Sequence, residues 1–305
     1  DISKMLPLAN APHVASVALT LFILGFAVKA ALFPLHIWLP DAHALAPSPV
    51  SAILSGLTVK MGIIGLVRMF FIIYGVRSAL NISLIMQILA WLAALTIVLG
   101  AFFAFFQNDI KMMLAYSTIS NIGYIVLGLS VAPFDKSPYG YALVGSLVHI
   151  FNHAMVKILL FLCAGAIIHQ TGLRKLSDLN GIGKKMPITL AAMSIGVVSI
   201  VGIPPTCGFT CKWFIALGAM EAGKPFFAVT LLFGALFIFA YYMRIVNAAY
   251  FREPTEAIAN VKEAPMSMTI PIIILAAGCL IFGAGTFGYI PLEFIKPAAL
   301  ALLGR

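Results

Sequence analysis

Long apolar runs constrain the fold of this chain more than any other sequence feature. A hydrocarbon core about 30 Å thick is crossed by a helix of roughly 20 apolar residues. Runs of that length recur along the chain, separated by polar or Pro/Gly-rich joints. Hydrophobic residues fill 62% of the 305 positions and charged residues only 10%, which leaves too little polar surface for a soluble domain. We therefore predict an all-α, polytopic membrane helix bundle of about eight spans. The predicted spans are residues 14–34, 50–76, 81–106, 111–132, 139–169, 188–219, 225–251 and 266–290.

Composition also excludes several classes of function. The formal net charge is +9, but the Lys and Arg residues are scattered without a basic cluster, which argues against nucleic-acid binding. The sequence has no Walker loop, no dinucleotide fingerprint and no CxxC spacing, so we predict no cofactor and no catalytic site of its own. The cysteines are predicted to be small buried hydrophobes, with a metal or redox role disfavoured. They are Cys163, Cys207, Cys211 and Cys279.

The connection at 170–187 gives the clearest indication of orientation. It contains Arg174, Lys175, Lys184 and Lys185, four of the seven basic loop residues on its face, against six basic loop residues on the opposite face. Short loops rich in Lys and Arg tend to stay on the cytoplasmic side. We therefore expect the 170–187 loop to be cytoplasmic and both chain ends to lie on the opposite side.

Four lysines lie within apolar segments and each needs a physical reason. They are Lys29, Lys60, Lys157 and Lys212. A lysine near the bilayer centre costs roughly 2.5–3.5 kcal/mol on insertion scales. Snorkelling of the long side chain to the headgroups is the ordinary explanation for one such residue. Four together favour a functional reason.

The segment HIFNHAMVK places three titratable residues on one helix face. His149, His153 and Lys157 are spaced by four residues, or about 6 Å per step along a helix. Lysine can lose its proton when it leaves water, whereas arginine cannot, and histidine titrates near neutral pH. A lone histidine is more often a satisfied core residue. The regular spacing of the three predicts a water-assisted proton file.

Two spans contain helix breakers at membrane depth. The first break is FPLHIWLPDAH with Pro34, and the second is GIPPTCGF with Pro204 and Pro205. Proline removes a backbone hydrogen bond, so unwound backbone here must line protein or water, as at the ion sites of transporters. Lys29 precedes the first break and Lys212 follows the second, which suggests an inverted pair. A simple kink in each span is the alternative.

Other polar residues support this file in the prediction. Asp41 and His43, just past the first break, are expected to fix that loop at the water interface. The segment LAYSTISNIGY carries hydroxyl and amide groups that could hydrate a path between the Lys60 and His149 regions, or could bond neighbouring helices. Both alternatives stay open for Ser117, Thr118, Ser120 and Asn121.

Four blocks of the sequence resemble the proton-translocating antiporter-like family. They are FPLHIWLPDAHALAPSPVSAILSGLTVKMGIIGLVR, QNDIKMMLAYSTISNIGY, HIFNHAMVKILLFLCAG and GIPPTCGFTCKW. This family comprises large antiporter-like subunits of respiratory complex I, membrane-bound hydrogenases and Mrp-type Na⁺/H⁺ antiporters. The stretch GIPPTCGFTCKWFIALGAMEAG is most similar to the Mrp D-subunit branch and its hydrogenase relatives.

The resemblance implies two inverted repeats of helices, each contributing a half-channel to a central polar axis. Residues 14–76 would end the first repeat, 81–251 would form the second, and 266–305 would be a C-terminal helix and tail. The implied proton relay is Lys29, Lys60, His149, His153, Lys157 and Lys212. Other membrane subunits would be its partners, with an energy-supplying redox or antiporter module, in the cell membrane of a prokaryote. Whether sodium moves as well as protons stays open.

Two departures from the family qualify this prediction. Asn121 stands where several relatives have histidine, and the glutamate with which relatives modulate the first lysine is missing. Before Lys60 the only acids are Asp1 and Asp41. We therefore expect that the N-terminal helices are absent or are supplied by another polypeptide. An independent transporter of an organic solute, or a structural membrane subunit with an incomplete channel, are the alternative functions.

Overall fold

A computed structural model describes residues 12–74, 82–287 and 290–304. In these ranges the chain is helical apart from its loops and an isolated β-bridge between Asp109 and Lys175. The predicted span ends at residues 76 and 81 lie outside the described residues. The helices are α1 Pro12–Ala30, α2 Trp38–Leu45, α3 Ser48–Ile73, α4 Ile82–Phe106, α5 Ile110–Phe134, α6 Tyr141–Thr171, α7 Pro187–Val201, α8 Cys207–Glu221, α9 Pro225–Phe251, α10 Met266–Phe287 and α11 Ile290–Leu302.

The predicted membrane bundle is confirmed. Six described helices, α3, α4, α5, α6, α9 and α10, are long and apolar enough to cross a membrane. The other two predicted spans hold shorter helices: residues 14–34 contain most of α1 and the start of the first break, and residues 188–219 contain most of α7 and α8 with the second break between them. Among the described helices the longest is α6, whose 31 residues reach about 46 Å, more than the hydrocarbon core requires.

Helix α5 forms the centre of the bundle. Over the most apolar 18 residues of α5, 89% are buried within the chain. Over the corresponding 18 residues of α10, at the periphery, only 28% are buried. Glycines let α4 approach it closely: a Cβ on Gly123 would lie 2.8 Å from the backbone nitrogen of Ile97, and one on Gly100 would lie 2.6 Å from that of Ser120. Small residues commonly permit such packing between membrane helices. The polar residues of α5 are therefore held in the interior.

The first break separates α1 from α2 at residues 31–37, which confirms the prediction from Pro34. Neighbouring groups satisfy backbone atoms that the interruption frees. The Phe33 amide donates to the Thr96 hydroxyl of α4 at 3.2 Å, and the Trp38 indole donates back to the Val28 carbonyl at 2.9 Å. Unwound backbone at membrane depth is tolerated where neighbouring protein groups satisfy its polar atoms.

The second break separates α7 from α8 at residues 202–206, as predicted from Pro204 and Pro205. Gly202 ends α7 in the left-handed region at φ 88°, a conformation that suits glycine because it has no Cβ. Helix α8 then starts directly against α7. A Cβ on Gly208 would lie 1.7 Å from the Ser199 carbonyl oxygen, so only glycine fits at this crossing.

The start of α7 is fixed by a carboxylate from the loop before α10. Glu263 accepts hydrogen bonds from the backbone amide of Ile188 at 2.7 Å and from the Thr189 hydroxyl at 2.6 Å. Its own backbone carbonyl accepts a bond from Gln170 near the end of α6. A negative charge at a helix N-terminus is favourable because it faces unpaired amides. This half of the broken helix is therefore tied to two neighbouring elements.

We expect Gly208→Ala to destabilise the second break, because the added methyl group would overlap the Ser199 carbonyl. Overpacking typically costs about 1–3 kcal/mol, and here backbone must move. The measurement is the thermal denaturation midpoint of the purified membrane protein. Gly196→Ala on α7 is the control, since its nearest neighbours at 3.0–3.3 Å are side-chain atoms of Leu160 and Leu159 that can shift. Equal losses in both variants would contradict this account.

Candidate functional site

The structure brings five of the six predicted relay residues into the interior of the bundle. Helix α3 contributes one, α6 three and α8 one, and each is buried. His153 interacts electrostatically with all four of the others, which places it at the centre of the group. We call this group the lysine–histidine file: Lys60, His149, His153, Lys157 and Lys212.

Lys157 is fully buried and surrounded by neutral oxygen atoms. Its ammonium Nζ donates to the Leu114 carbonyl at 2.9 Å, to the Ser117 hydroxyl at 2.8 Å and to the Tyr242 hydroxyl at 3.4 Å. Ser117 and Tyr242 are themselves 3.0 Å apart. These partners are able to solvate an ammonium without neutralising it, and the hydroxyls can also donate to a neutral amine.

Lys60 lies directly after an irregular turn in α3. The backbone at Leu54–Thr58 forms a π-helical turn, a feature often found at functional sites. The Lys60 ammonium donates to the carbonyl of Ser55 within this turn. The Ser55 hydroxyl in turn lies 2.8 Å from the Thr118 hydroxyl of α5. The irregular turn thus provides a backbone acceptor for a buried lysine.

His149 is held through both ring nitrogens. Its Nε2 lies 3.3 Å from Asn121 Oδ1, and its Nδ1 lies 3.0 Å from the Cys211 thiol. Asn121 also donates through Nδ2 to the Ser117 carbonyl at 2.8 Å. Asn121 therefore orients the His149 ring through a neutral amide.

His153 stands between His149 and Lys157 on α6. The ring centroids of the two histidines are 5.9 Å apart, in agreement with the predicted spacing of one helical turn. The two ring nitrogens of His153 are buried and have no hydrogen-bond partner among the described residues. This ring therefore carries a free donor and a free acceptor at the centre of the file.

Lys212 closes the second break. Its ammonium donates to the carbonyls of Ile200 at 2.7 Å and Val201 at 3.0 Å, the last residues of α7. It also lies over the Tyr124 ring, 4.8 Å from the centroid. A cation at a helix C-terminus is favoured by the helix dipole and by the unpaired carbonyls there. Lys212 thus caps the C-terminal end of α7.

The prediction that Lys29 is buried is wrong for the described chain. Lys29 lies in the last turn of α1 with its side chain exposed. The opposite face of α1 packs on α3, where a Cβ on Gly62 would lie 2.7 Å from the Ala30 amide nitrogen and 2.8 Å from the Phe26 carbonyl. This close packing turns the Lys29 side chain away from the lysine–histidine file.

The prediction that His43 lies at the water interface is also wrong, whereas Asp41 is exposed as expected. His43 is fully buried, and its ring stacks on Phe161 of α6 at 4.6 Å between centroids. Both ring nitrogens lack a hydrogen-bond partner among the described residues. Leu39, Pro40 and His43 form the buried face of α2, a helical spacing that the sequence already contains.

The polar residues of α5 divide between the two roles left open by the sequence. Ser117 and Asn121 contact the file, whereas Ser120 donates to the Ile97 carbonyl of α4 at 3.0 Å and so joins two helices.

Sequence reasoning missed Tyr242, a partner of Lys157. Its signal was a tyrosine pair inside the apolar run FIFAYYMRIV. It also dismissed Cys211, which contacts His149.

A cleft of about 500 Å³ opens at the end of the bundle that carries the 170–187 loop. It is bounded by the connection from α2 to α3, the last turns of α6 and the start of α5. Lys111 donates to the Ala46 carbonyl there, and Arg174 pairs with Asp109 at 2.9 Å. Ala44, which follows His43, lines the cleft. The buried His43 is therefore adjacent in sequence to a residue that lines the cleft.

The described residues contain no group of three or more His, Cys, Asp or Glu side chains suited to a metal ion. The four cysteines are free and buried. The described site consists of amines, imidazoles, hydroxyls, an amide and a thiol.

Comparison with known proteins gives consistent matches over most of the chain. The family described as "NADH:quinone oxidoreductase/Mrp antiporter, TM" matches residues 1–238. NADH-quinone oxidoreductase subunit N of Desulforudis audaxviator is 37% identical over 295 residues, covering 93% of this chain and 57% of the relative. Hydrogenase-4 component B of Escherichia coli is 33% identical over 298 residues, covering 92% of this chain and 44% of the relative.

A solved structure shows the same fold. The Mrp complex of a Dietzia species contains a chain that matches with a TM-score of 0.87 at 25% identity, covering 97% of this chain and 61% of that one. The present chain thus spans about half the length of the curated relatives it matches. The predicted likeness to one branch, the Mrp D subunit, stays a prediction.

We expect Lys212→Met to destabilise the protein, because the Ile200 and Val201 carbonyls would lose their donor in a buried setting. An unsatisfied buried acceptor costs about 1–3 kcal/mol. Lys212→Arg keeps a cation at the break and should lose less. The thermal midpoint of the detergent-solubilised protein measures both, with the exposed Lys136→Met as control. A midpoint for Lys212→Met equal to that of the control would contradict the capping role.

Proposed function

The chain belongs to the NADH:quinone oxidoreductase/Mrp antiporter family of membrane proteins, and on that premise we propose that it is a proton-translocating subunit of a multisubunit complex. The lysine–histidine file would carry the protons. The observation that supports this most directly is the interior arrangement of Lys157, His153 and His149 along one face of α6, with Lys60 and Lys212 beside it. Because the chain spans only part of its relatives, the activity of the whole protein is part of this proposal.

The partners of the buried lysines suit repeated loading and unloading. Lys60, Lys157 and Lys212 donate to carbonyl and hydroxyl oxygens, which are neutral. A carboxylate in the same position would hold the proton by charge attraction, whereas a neutral acceptor allows the amine to release it. Lysine suits this role because its protonation state responds to burial.

Mutual repulsion would couple one site to the next. Like charges inside a low-dielectric interior interact more strongly than in water, so protonation of one group disfavours protonation of its neighbour. His153 lies within electrostatic range of Lys60, Lys157 and Lys212. A proton arriving at one lysine would therefore favour release from another. In this proposal the energy would come from partner subunits.

Helix α6 provides a direction for the path. From the 170–187 end inward, the cleft is followed by His43 stacked on Phe161 and then by Lys157, His153 and His149. Lys157 and His149 are eight positions apart, or about 12 Å along the helix. Protons would reach the file from the cleft by way of His43, and Lys212 would serve the far end.

A structural membrane subunit with an incomplete channel is the second candidate. The exposed position of Lys29 favours it, because the first half-channel is not assembled within the described chain. Retained pumping after Lys60 and Lys212 are both neutralised would support that alternative. Currents driven by an organic solute in liposomes would instead indicate an independent transporter. Sodium/proton antiport would show as sodium-dependent proton movement.

The relatives suggest which partners this chain has and in which membrane it lies. Their names and titles describe an NADH-quinone oxidoreductase subunit, a hydrogenase component and an Mrp complex, so we propose other membrane subunits as partners. The bacterial sources of these relatives support the cell membrane of a prokaryote as the location. Whether the driving module is a redox enzyme or an antiporter would follow from the subunits that co-purify.

We expect Lys157→Met to reduce proton translocation by about a hundredfold, the range that a positioned proton-transfer group contributes. Translocation is measured with a pH-sensitive dye in liposomes that contain the assembled complex. Lys175→Met, in the exposed loop, is the matched control and should retain the wild-type rate. Wild-type translocation by Lys157→Met would refute the relay.

We expect a cysteine introduced at Ser177 to react with a membrane-impermeant maleimide from the cytoplasmic side only. A cysteine at Lys136, in the exposed loop at the opposite end of α6, should react from the other side. The native cysteines are buried and should give little background. Labelling with the opposite sidedness would reverse the orientation given by the basic loop.

A further inference from the structure

One thiol contacts the lysine–histidine file. Cys211 on α8 is fully buried, and its Sγ lies 3.0 Å from His149 Nδ1. The same sulfur lies 3.3 Å from the Gly208 carbonyl oxygen, one turn earlier on α8. The thiol thus has two acceptors within reach and one proton to donate.

The surrounding hydrogen bonds fix which nitrogen of neutral His149 carries the proton. The Ser117 carbonyl can only accept, so the Asn121 atom 2.8 Å from it must be the amide nitrogen. The Asn121 oxygen therefore faces His149 Nε2 at 3.3 Å, and Nε2 must carry a hydrogen to bond it. In the neutral ring Nδ1 is then unprotonated. The Cys211 thiol must be the donor in the contact with Nδ1.

This assignment leaves one nitrogen of His149 for proton exchange. The Nε2 hydrogen is committed to an amide oxygen, a group that does not accept a proton near neutral pH. A proton that moves through His149 therefore enters and leaves at Nδ1, the nitrogen that the Cys211 thiol contacts. Once Nδ1 is protonated it is a donor, and the thiol can no longer donate to it.

We propose that Cys211 acts as a two-position gate on His149, an inference that rests on the proposed proton-translocating function. In the neutral state the S–H bond points to His149 Nδ1. When Nδ1 takes a proton from a neighbouring group or water, forming an N–H bond, the intact S–H bond rotates to the Gly208 carbonyl. The thiol keeps its proton in both states. Cys211 is thus a positioning residue.

The groups around His149 support this assignment. On α6 its neighbour is His153, on α5 they are Asn121 and Tyr124, and on α8 it is Cys211 followed by Lys212, while Lys60 of α3 acts at longer range. Among these groups, Cys211 is the one that contacts His149 Nδ1 at hydrogen-bond distance.

Cys211 precedes Lys212 on α8, and this position would link rotation of the thiol to the charge on Lys212. Lys212 acts on His149 electrostatically, and two positive charges there oppose each other. The thiol therefore occupies its Nδ1 position when His149 is neutral and Lys212 is free to be charged. It moves towards Gly208 when the proton sits on His149. Rotation of the Cys211 S–H bond would make proton arrival at His149 and proton release at Lys212 two distinct steps.

The test uses infrared difference spectroscopy of the assembled complex in liposomes, where the S–H stretch of a buried cysteine reports its acceptor. We expect an S–H band that shifts between acidic and alkaline buffer, and that is absent in Cys211→Ala. In His149→Phe the band should stay at a single, pH-independent position. Cys207→Ala, one turn earlier on the same helix, should keep the shifting band.

Translocation gives the functional readout. Cys211→Ala should lower the rate by roughly fivefold, the factor that one hydrogen bond contributes, and should alter its pH dependence. Cys211→Ser, whose hydroxyl can make both bonds, should restore both, and it also covers the case in which the alanine variant fails to assemble. Cys207→Ala should translocate at the wild-type rate.

Failure of this inference is distinguishable from failure of the proposed function. An S–H band in the wild type that ignores pH, or a Cys211→Ala variant with wild-type rate and pH dependence, would overturn the gate. If Lys157→Met is inactive in the same assay, the relay stands without the gate. If Lys157→Met pumps normally, the relay itself is wrong.

Discussion

Every polar group inside the hydrocarbon must find its partner within the protein, and the irregular features of this structure follow from that constraint. Helix breaks and π-turns release backbone carbonyls that would be costly if unpaired. Buried lysines are costly for the same reason. The structure brings the two together: Lys212 donates to the last carbonyls of α7, and Lys60 donates to a carbonyl in the π-turn of α3. The second break and the π-turn of α3 thus each satisfy a buried cation.

Neutral partners distinguish this interior from a set of structural ion pairs. Lys157 is surrounded by a carbonyl and two hydroxyls, and His149 by an amide and a thiol. A buried ion pair is disrupted strongly when one member is neutralised. Groups held by neutral dipoles can change charge with smaller rearrangements, because hydroxyls and thiols rotate to donate or accept. The proposed relay and the proposed Cys211 gate both depend on this property.

Particular residues show how far sequence reasoning reaches. The regular spacing of His149, His153 and Lys157 predicted one helix face, and the prolines predicted two interrupted helices; the structure confirms the breaks and places the three residues along α6 in the interior. His43 and Lys29 were misplaced. A short helix of eight residues can turn either face inward, and the packing of α1 on α3 decides where Lys29 points.

The sequence by itself determined that the chain crosses a membrane, where the spans lie, where they break and which titratable residues recur on a helical face. These follow from local hydropathy, backbone chemistry and periodicity, which need no knowledge of neighbours. Only the tertiary structure decided that Cys211 meets His149, that Tyr242 joins Lys157 and that His43 is buried. Such contacts join residues distant in sequence, because helix packing and rotation set them and no local pattern records them.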